Sequence, residues 1–323
     1  MPSHFTTSVI IPVYNAERYL ERAVSSALAQ PQTGEVILIE DCSPDGSLAL
    51  CEKLASSHPG KVRLLRHPDG RNHGAGPTRN LGIRAAKHPF IAFLDADDYY
   101  LPGRFERDVQ ILAGDESIDG VYGALGTDFQ DEEGRRWWAT HGNRGLVTAV
   151  RGAPPPEKLF FALSPIGTAG HFSLDALTVR KRVFEKVEFS NLRIGEDTLL
   201  IFQLAALYKL VSNRLEKTVA QRGVHGENTI SDAHAMRMAE LEMWSRLVEW
   251  VVRSSLPKDK STVLHQTSIL FTKHWRDLAS VLRGRVCILA KPRTWVCLLR
   301  WFFIRRYPDD PFIPGLLPHW RRK

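Results

Sequence analysis

PFIAFLDADD, residues 89–98, decides the fold: a short, continuous apolar run breaks off into three acids within four positions. A run of that length without alternation is expected of a strand buried on both faces, and the aspartates mark where it leaves the core. Working outward, three runs of the same kind precede it: SVIIPV at 8–13, EVILI at 35–39 and VRLL at 62–65. Between the first two, Tyr19, Leu20, Ala23, Val24, Ala27 and Leu28 recur at helical spacing, with Asn15 placed to cap that helix. Helices are also predicted over 47–56 and 79–86. Strands and helices alternating with short links mean a mainly parallel sheet with right-handed crossovers. Ligands of such sheets bind beyond the carboxyl ends of the strands.

Three of the four runs end in polar residues at that edge: Pro12-Val13-Tyr14-Asn15, Glu40-Asp41-Cys42-Ser43 and Asp95-Ala96-Asp97-Asp98. Asp41 can accept from a base N–H or a ribose hydroxyl, and Tyr14 can cover a base. If the chain stays extended through 95–97, Asp95 and Asp97 point to the same side. Two carboxylates so placed repel unless a cation lies between them or one is protonated. A hard divalent ion, Mg2+ or Mn2+, suits such oxygen ligands. Alone, an acid pair at this spacing is a weak signal, since acidic turns commonly cap helices.

The rest of the chain divides by pattern. Residues 1–127 carry the strand and helix alternation. Residues 128–230 are less regular, with Trp137, Trp138 and a proline run at 154–156, so mixed or antiparallel strands and loops are expected there. Residues 231–323 read as helical, with apolar stripes up to about 251, over 261–282 and over 294–306. With 323 residues, 43% hydrophobic and 24% charged, the chain can bury a core without disulfide staples. Its four cysteines, Cys42, Cys51, Cys287 and Cys297, form no CxxC pair and read as reduced. The start lacks the basic and apolar regions of a secretory signal, and no apolar run is long enough to span a bilayer. A cytoplasmic location is therefore expected.

The net charge of +7 is uneven: residues 281–323 hold ten Lys and Arg against two Asp, which leaves the remainder near −1. A basic tail on a near-neutral body suits membrane phosphates. Aromatics between Arg293, Arg300, Arg305 and Arg306 would let its helix lie flat at the inner face of a membrane, or pack in a core. No motif points to nucleic acid.

The runs SVIIPVYNAERYL, VILIEDCSPDGS, GAGPTRNLGIRAA and PFIAFLDADD, in this order and spacing, resemble the family 2 glycosyltransferases of the GT-A fold. The resemblance is strong over residues 8–100 and weaker to about 231. It implies a GT-A sheet with a nucleotide-sugar half, an acceptor half and a helical C-terminal extension. It also implies inverting, metal-assisted transfer from a nucleotide-diphosphate sugar, a UDP-sugar being expected, to a glycan or lipid-linked glycan in cell-envelope polysaccharide biosynthesis. The implied donor contacts are Pro12, Tyr14, Asn15, Glu40, Asp41, Arg79, Asp95 and Ala96, with Arg79 near the base or diphosphate. Asp97 would ligate Mn2+ or Mg2+. The pair Glu196-Asp197 resembles the family's acidic motif at a helix start, with Asp197 as base and Glu196 beside the acceptor. Acids at helix starts also simply complement the helix dipole. His225, after Arg222, resembles a late histidine element and would be a further metal ligand or hold a phosphate. His171 would touch acceptor or pack in the core.

Two departures matter. Glu40 and Cys42 flank Asp41 where the family more often has aspartate and a glycine or asparagine. The QxxRW motif of processive synthases is missing, which favours addition of a single sugar. A sugar nucleotidyltransferase would need a Gly-rich basic loop after the first strand, and PVYNAERYL is not one. The remaining alternative is a non-catalytic glycosyltransferase-like protein that binds nucleotide or glycan without turnover.

Overall fold

The computed structural model describes residues 5–141, 145–164 and 166–226, together with residues 239, 242–244, 246, 247 and 250. The chain divides into two compact units, Met1–Met236 and Arg237–Lys323. The two expected halves, 1–127 and 128–230, both fall in the first.

In chain order the elements are β1 (Thr7–Val13), α1 (Leu20–Leu28), β2 (Thr33–Glu40), α2 (Ser47–Ser57), β3 (Val62–Arg66), α3 (Ala75–Ala85) and β4 (Phe90–Phe93). There follow β5 (Tyr99–Tyr100), α4 (Glu106–Gly114), β6 (Gly120–Tyr122), β7 (Ala124–Phe129), α5 (Glu132–His141) and β8 (Val147–Thr148). Then come α6 (Pro156–Ala162), β9 (Leu177–Arg180), α7 (Glu196–Leu207), β10 (Leu210–Ser212) and β11 (Thr218–Val224). Short 3-10 turns cover Leu174–Ala176 and Lys181–Glu185.

The main sheet runs β10-β6-β9-β4-β1-β2-β3. Every pairing is parallel except those of β9, which lies antiparallel to both β4 and β6. A second sheet of order β5-β11-β7-β8 stands beside it. The apolar runs form the central strands because both their faces are covered. Val9, Ile10 and Ile11 of β1 and Val36 to Ile39 of β2 have no exposed surface. On α1, Leu20, Ala23, Val24 and Ala27 form the buried stripe. Burying a leucine there contributes about 2 kcal/mol relative to leaving it in water.

Three local expectations are corrected. Asn15 does not cap α1: the helix starts at Leu20 with Tyr19 at the cap position and no side-chain cap bond. Asn15 instead takes a left-handed backbone (φ 54°), and its N–H donates to Ser43 Oγ at 3.2 Å. α3 starts at Ala75, a turn before the predicted Arg79, because Gly74 (φ 85°) turns the chain into the helix there. The segment 95–98 is not extended: Asp98 N–H donates to Asp95 O at 3.1 Å, closing a turn. The mixed character expected for 128–230 is present in β9 and in the second sheet, although α5, α6 and α7 make it more helical than the pattern suggested.

Of the helices expected after residue 231, residues 239, 242–244, 246, 247 and 250 are helical, with Met243, Trp244 and Leu247 buried. The stripes at 261–282 and 294–306 and the basic tail lie outside the described residues. Among the described residues, no helix is long and apolar enough to cross a membrane.

Candidate active site

The carboxyl ends of β1, β2, β4 and β11 and the starts of α3 and α7 meet at one edge. The first wall is made by two loops zipped together. Backbone N–H groups of Asn15, Ala16 and Glu17 donate to the side chains of Ser43, Ser47 and Asp45 at 3.2, 2.9 and 3.1 Å. The serines and aspartate of CSPDGS thus satisfy the donors of the YNAE turn. The turn holds Tyr14 outward, 54% exposed, the only aromatic among the exposed large hydrophobic side chains of the described residues.

Asp41 is buried at the end of β2. Its Oδ1 and Oδ2 accept the N–H groups of His73 and Gly74, both at 2.8 Å, and its carbonyl accepts from Asn72 Nδ2 at 3.0 Å. Asp41 therefore organises the loop that leads into α3. His67 joins the same cluster, with Nε2 3.0 Å from Thr78 Oγ1 and its ring stacked on His73 at 4.1 Å. Burial and the neighbouring His73 hold the His67 pKa below the usual histidine range. Glu40, expected at the donor edge, is turned inward. It is 1% exposed, accepts the Ser43 N–H at 2.5 Å and pairs with Arg66 at 3.0 Å, so its carboxylate serves the fold.

The turn 95–98 sends its carboxylates in different directions. Asp95, part-exposed, receives Arg79 Nη2 at 2.6 Å. Asp97 Oδ2 lies 3.3 Å from His225 Nε2. Ala96 is buried. Asp98 goes into the protein, where it accepts the Gly223 N–H at 2.8 Å and so holds the end of β11 just before His225. The His225 ring is 7% exposed and stacks on Tyr19 at 4.3 Å. Arg222, three residues earlier on β11, reaches Thr148 Oγ1 at 3.5 Å.

Behind this turn lies Asp175, buried, accepting the Asp95 N–H at 2.9 Å and the Ser173 hydroxyl at 2.8 Å. Oxygens of Asp95, Asp98 and Asp175 come within 4.8 Å of one another. Burial, with Asp175 close by, pushes the Asp98 pKa well above the carboxylate range; burial and Asp95 push Asp175 up to about 6.

At the opposite side stands the start of α7. Gly195 precedes it with φ 85°, a backbone that a side chain would strain. Glu196 is 7% exposed and accepts Arg79 Nη1 at 2.8 Å, while Asp197 is part-exposed, with Oδ1 accepting the Thr198 N–H at 2.6 Å. Burial, reinforced by the Asp197 charge, pushes Glu196 up to about 7 against the pull of Arg79. Helix α3 is clamped to the segment before α7. Asn80 exchanges two hydrogen bonds with the Phe189 backbone, at 2.8 and 3.0 Å. Gly76 passes so close to Ser190 O that a Cβ there would collide with it.

Arg79, expected near the base or diphosphate, is 4% exposed, and each of its terminal nitrogens is taken by a carboxylate. Burial lowers its pKa, but Asp95 and Glu196 more than offset this, so it stays charged. His171 is half-buried: Nδ1 lies 2.7 Å from Phe172 O and the ring contacts Phe202 at 6.0 Å, a packing role.

The structure thus brings Tyr14, Asp95, Asp97, His225 and Asp197 to one edge, with Pro12 half-buried and Asn15 exposed beside them. Asp175, Asp98 and Tyr19 were not foreseen as supports. Only the serine two residues before Asp175, which accepts its N–H, hints at that turn from sequence. An apolar cleft lined by Ser26, Ala29, Pro31, Tyr100 and Pro102 lies by the amino end of β2, away from these groups.

The family model for Glycosyl transferase family 2 matches residues 8–174. An uncharacterized glycosyltransferase of Nostoc sp. is 30% identical over 261 residues, 76% of this chain and 76% of that protein. The succinoglycan biosynthesis protein ExoU of Rhizobium meliloti is 38% identical over 96 residues, 30% of this chain and 27% of its own length. Among solved structures, S. aureus TarS 1-349 in complex with UDP-GlcNAc superposes with a TM-score of 0.63 at 18% identity, covering 96% of this chain and 83% of that one. That likeness bears on the fold alone, and it bears out the GT-A architecture read from the sequence.

Proposed function

The chain belongs to glycosyl transferase family 2, and on that premise we propose that it moves one sugar from a UDP-sugar to a hydroxyl of a glycan or lipid-linked glycan, with inversion at the anomeric carbon. The observation that carries this reading is the convergence of the Asp97–His225 pair, 3.3 Å apart, and the part-exposed Asp197 on one sheet edge. Tyr14 would cover the base, and Pro12, Asn15, Asp41, Ala96 and Asp95 would line the nucleoside.

The donor set fits a divalent ion. One imidazole nitrogen and one carboxylate oxygen face each other, a combination suited to Mn2+ and, with waters and diphosphate oxygens, to Mg2+. Asp97 and His225 would hold that ion, which supplies positive charge to the departing diphosphate. Asp197 would take the proton of the acceptor hydroxyl as general base. Its bond from the Thr198 N–H orients the carboxylate at the start of α7.

Support for the acceptor class comes from the relatives, since ExoU is described as a succinoglycan biosynthesis protein. A UDP donor is supported by the TarS complex with UDP-GlcNAc. The charge of the basic tail supports a peripheral contact with the inner face of the membrane. Calorimetric titration with UDP, GDP, ADP and CDP, with and without Mn2+, tests the reading. Selective, metal-dependent binding of UDP is expected, and no binding of any nucleotide would overturn it.

A further inference from the structure

The geometry points to Arg79 as a positioning residue that fixes the donor edge and the general base relative to each other through one guanidinium shared by Asp95 and Glu196. The inference rests on the transferase reading, and on roles for Asp95 beside the donor and Asp197 as base.

Four observations carry it. Arg79 is 4% exposed, so its guanidinium is held within the protein. Its two terminal nitrogens divide between two carboxylates from distant parts of the chain, Nη2 on Asp95 at 2.6 Å and Nη1 on Glu196 at 2.8 Å. Asp95 lies at the end of β4, and Glu196 is the residue before Asp197 at the start of α7. The guanidinium also lies over the Phe189 ring, 5.4 Å from its centroid, on the segment that leads to α7. A planar fork can serve two carboxylates in fixed directions at once; a lysine ammonium has one centre and no such geometry.

Among the described residues, Arg79 is also the one side chain whose ion pairs reach both the 95–98 turn and α7. Shortening or loosening this bridge would shift Asp197 against the reacting carbon. A misplacement of about an ångström in such a group costs on the order of 100-fold in rate. Arg79 acts through its neighbours and touches neither substrate.

The test compares the full chain with Arg79→Lys, Glu196→Gln and the double variant. Thermal unfolding establishes that each is folded. UDP affinity with Mn2+ is measured by calorimetry, and hydrolysis of UDP-glucose, UDP-galactose and UDP-GlcNAc gives kcat and KM. Hydrogen exchange with and without UDP and Mn2+ follows residues 93–98 and 189–197 separately.

In the parent, nucleotide should slow exchange in both segments. In Arg79→Lys it should slow exchange in 93–98 but no longer in 189–197, with UDP affinity and KM within about threefold of the parent and kcat reduced about 30-fold or more. The double variant should lose no more than the worse single one, because both break the same bridge. If Arg79→Lys loses UDP affinity as steeply as kcat/KM, Arg79 contacts the donor and the proposal is overturned. Parental kcat, or unchanged protection of 189–197, overturns it as well. A parent in which nucleotide protects neither segment fails at the donor site itself, which sinks the transferase reading and the bridge's role together.

Discussion

His225 Nε2 sits 3.3 Å from Asp97 Oδ2, although 128 positions separate the two residues in the chain. Neither is placed by its own local structure alone. Asp97 is carried by the turn after β4, and His225 by the end of β11, which Asp98 grips through the Gly223 N–H.

The pair is therefore expected to fail as a unit. Asp97→Asn and His225→Ala should each weaken Mn2+-dependent UDP binding by about 10-fold or more, in the range known for changes at metal ligands and their supports. Metal-free UDP binding should change little. Calorimetry with and without Mn2+ checks both numbers, and equal loss in the two conditions would speak against a metal role.

Asp197→Asn keeps shape and hydrogen bonding but cannot take a proton. Transfer to acceptor should fall on the order of 100- to 10,000-fold, while UDP binding stays near that of the parent. Turnover assays beside calorimetry read the two separately; near-parental transfer would place the base elsewhere.

Gly195 holds φ 85° immediately before α7. Gly195→Ala should cost about 1–2 kcal/mol of stability, because a Cβ is disfavoured in the left-handed region. Urea unfolding gives that difference. Kinetics should suffer as well, since the residue sets the direction in which Asp197 leaves the loop.

Asp175 makes stability depend on pH in an unusual sense. Burial and the nearby Asp95 raise its folded-state pKa to about 6, above the ordinary aspartate value of 3.8. Over that interval the folded protein holds more protons than the unfolded chain, so the Asp175 contribution falls as pH rises from about 4 to about 6. Subtracting the stability of Asp175→Asn from that of the parent isolates the effect. The difference should decline across this window; a flat or rising difference contradicts the raised pKa.

Much of residues 1–127 was legible because its signals are local. SVIIPV, EVILI and PFIAFL are apolar without alternation, and each ends in polar residues, so both the strands and the edge they share follow from the pattern. The pairing of Arg79 was not legible, because its position in PTRN does not say which way it faces. Only the arrival of Glu196, 117 positions later, takes its second nitrogen. The extended geometry assumed for 95–97 failed for a similar reason. A carboxylate pair can be read from spacing, but the turn that separates them depends on Asp98 and Asp175 finding burial together. Glu40 looked like part of an acidic edge, whereas Arg66, on the neighbouring strand, draws it inward.

The strand β9 enters the main sheet between β4 and β6 and runs against both. Synthesis from the amino end therefore delivers β4 long before its neighbour: Phe90–Phe93 exist as a strand while Leu177–Arg180 are still unmade. For that interval the nascent sheet carries an unpaired apolar border, the kind of template that recruits other chains. A chain ended before residue 177 should scatter light on standing, while the chain carried past residue 226 should stay clear. The enzyme's vulnerable moment then falls during its birth, and a chaperone that shields β4 would need to let go only once the antiparallel strand has slotted home.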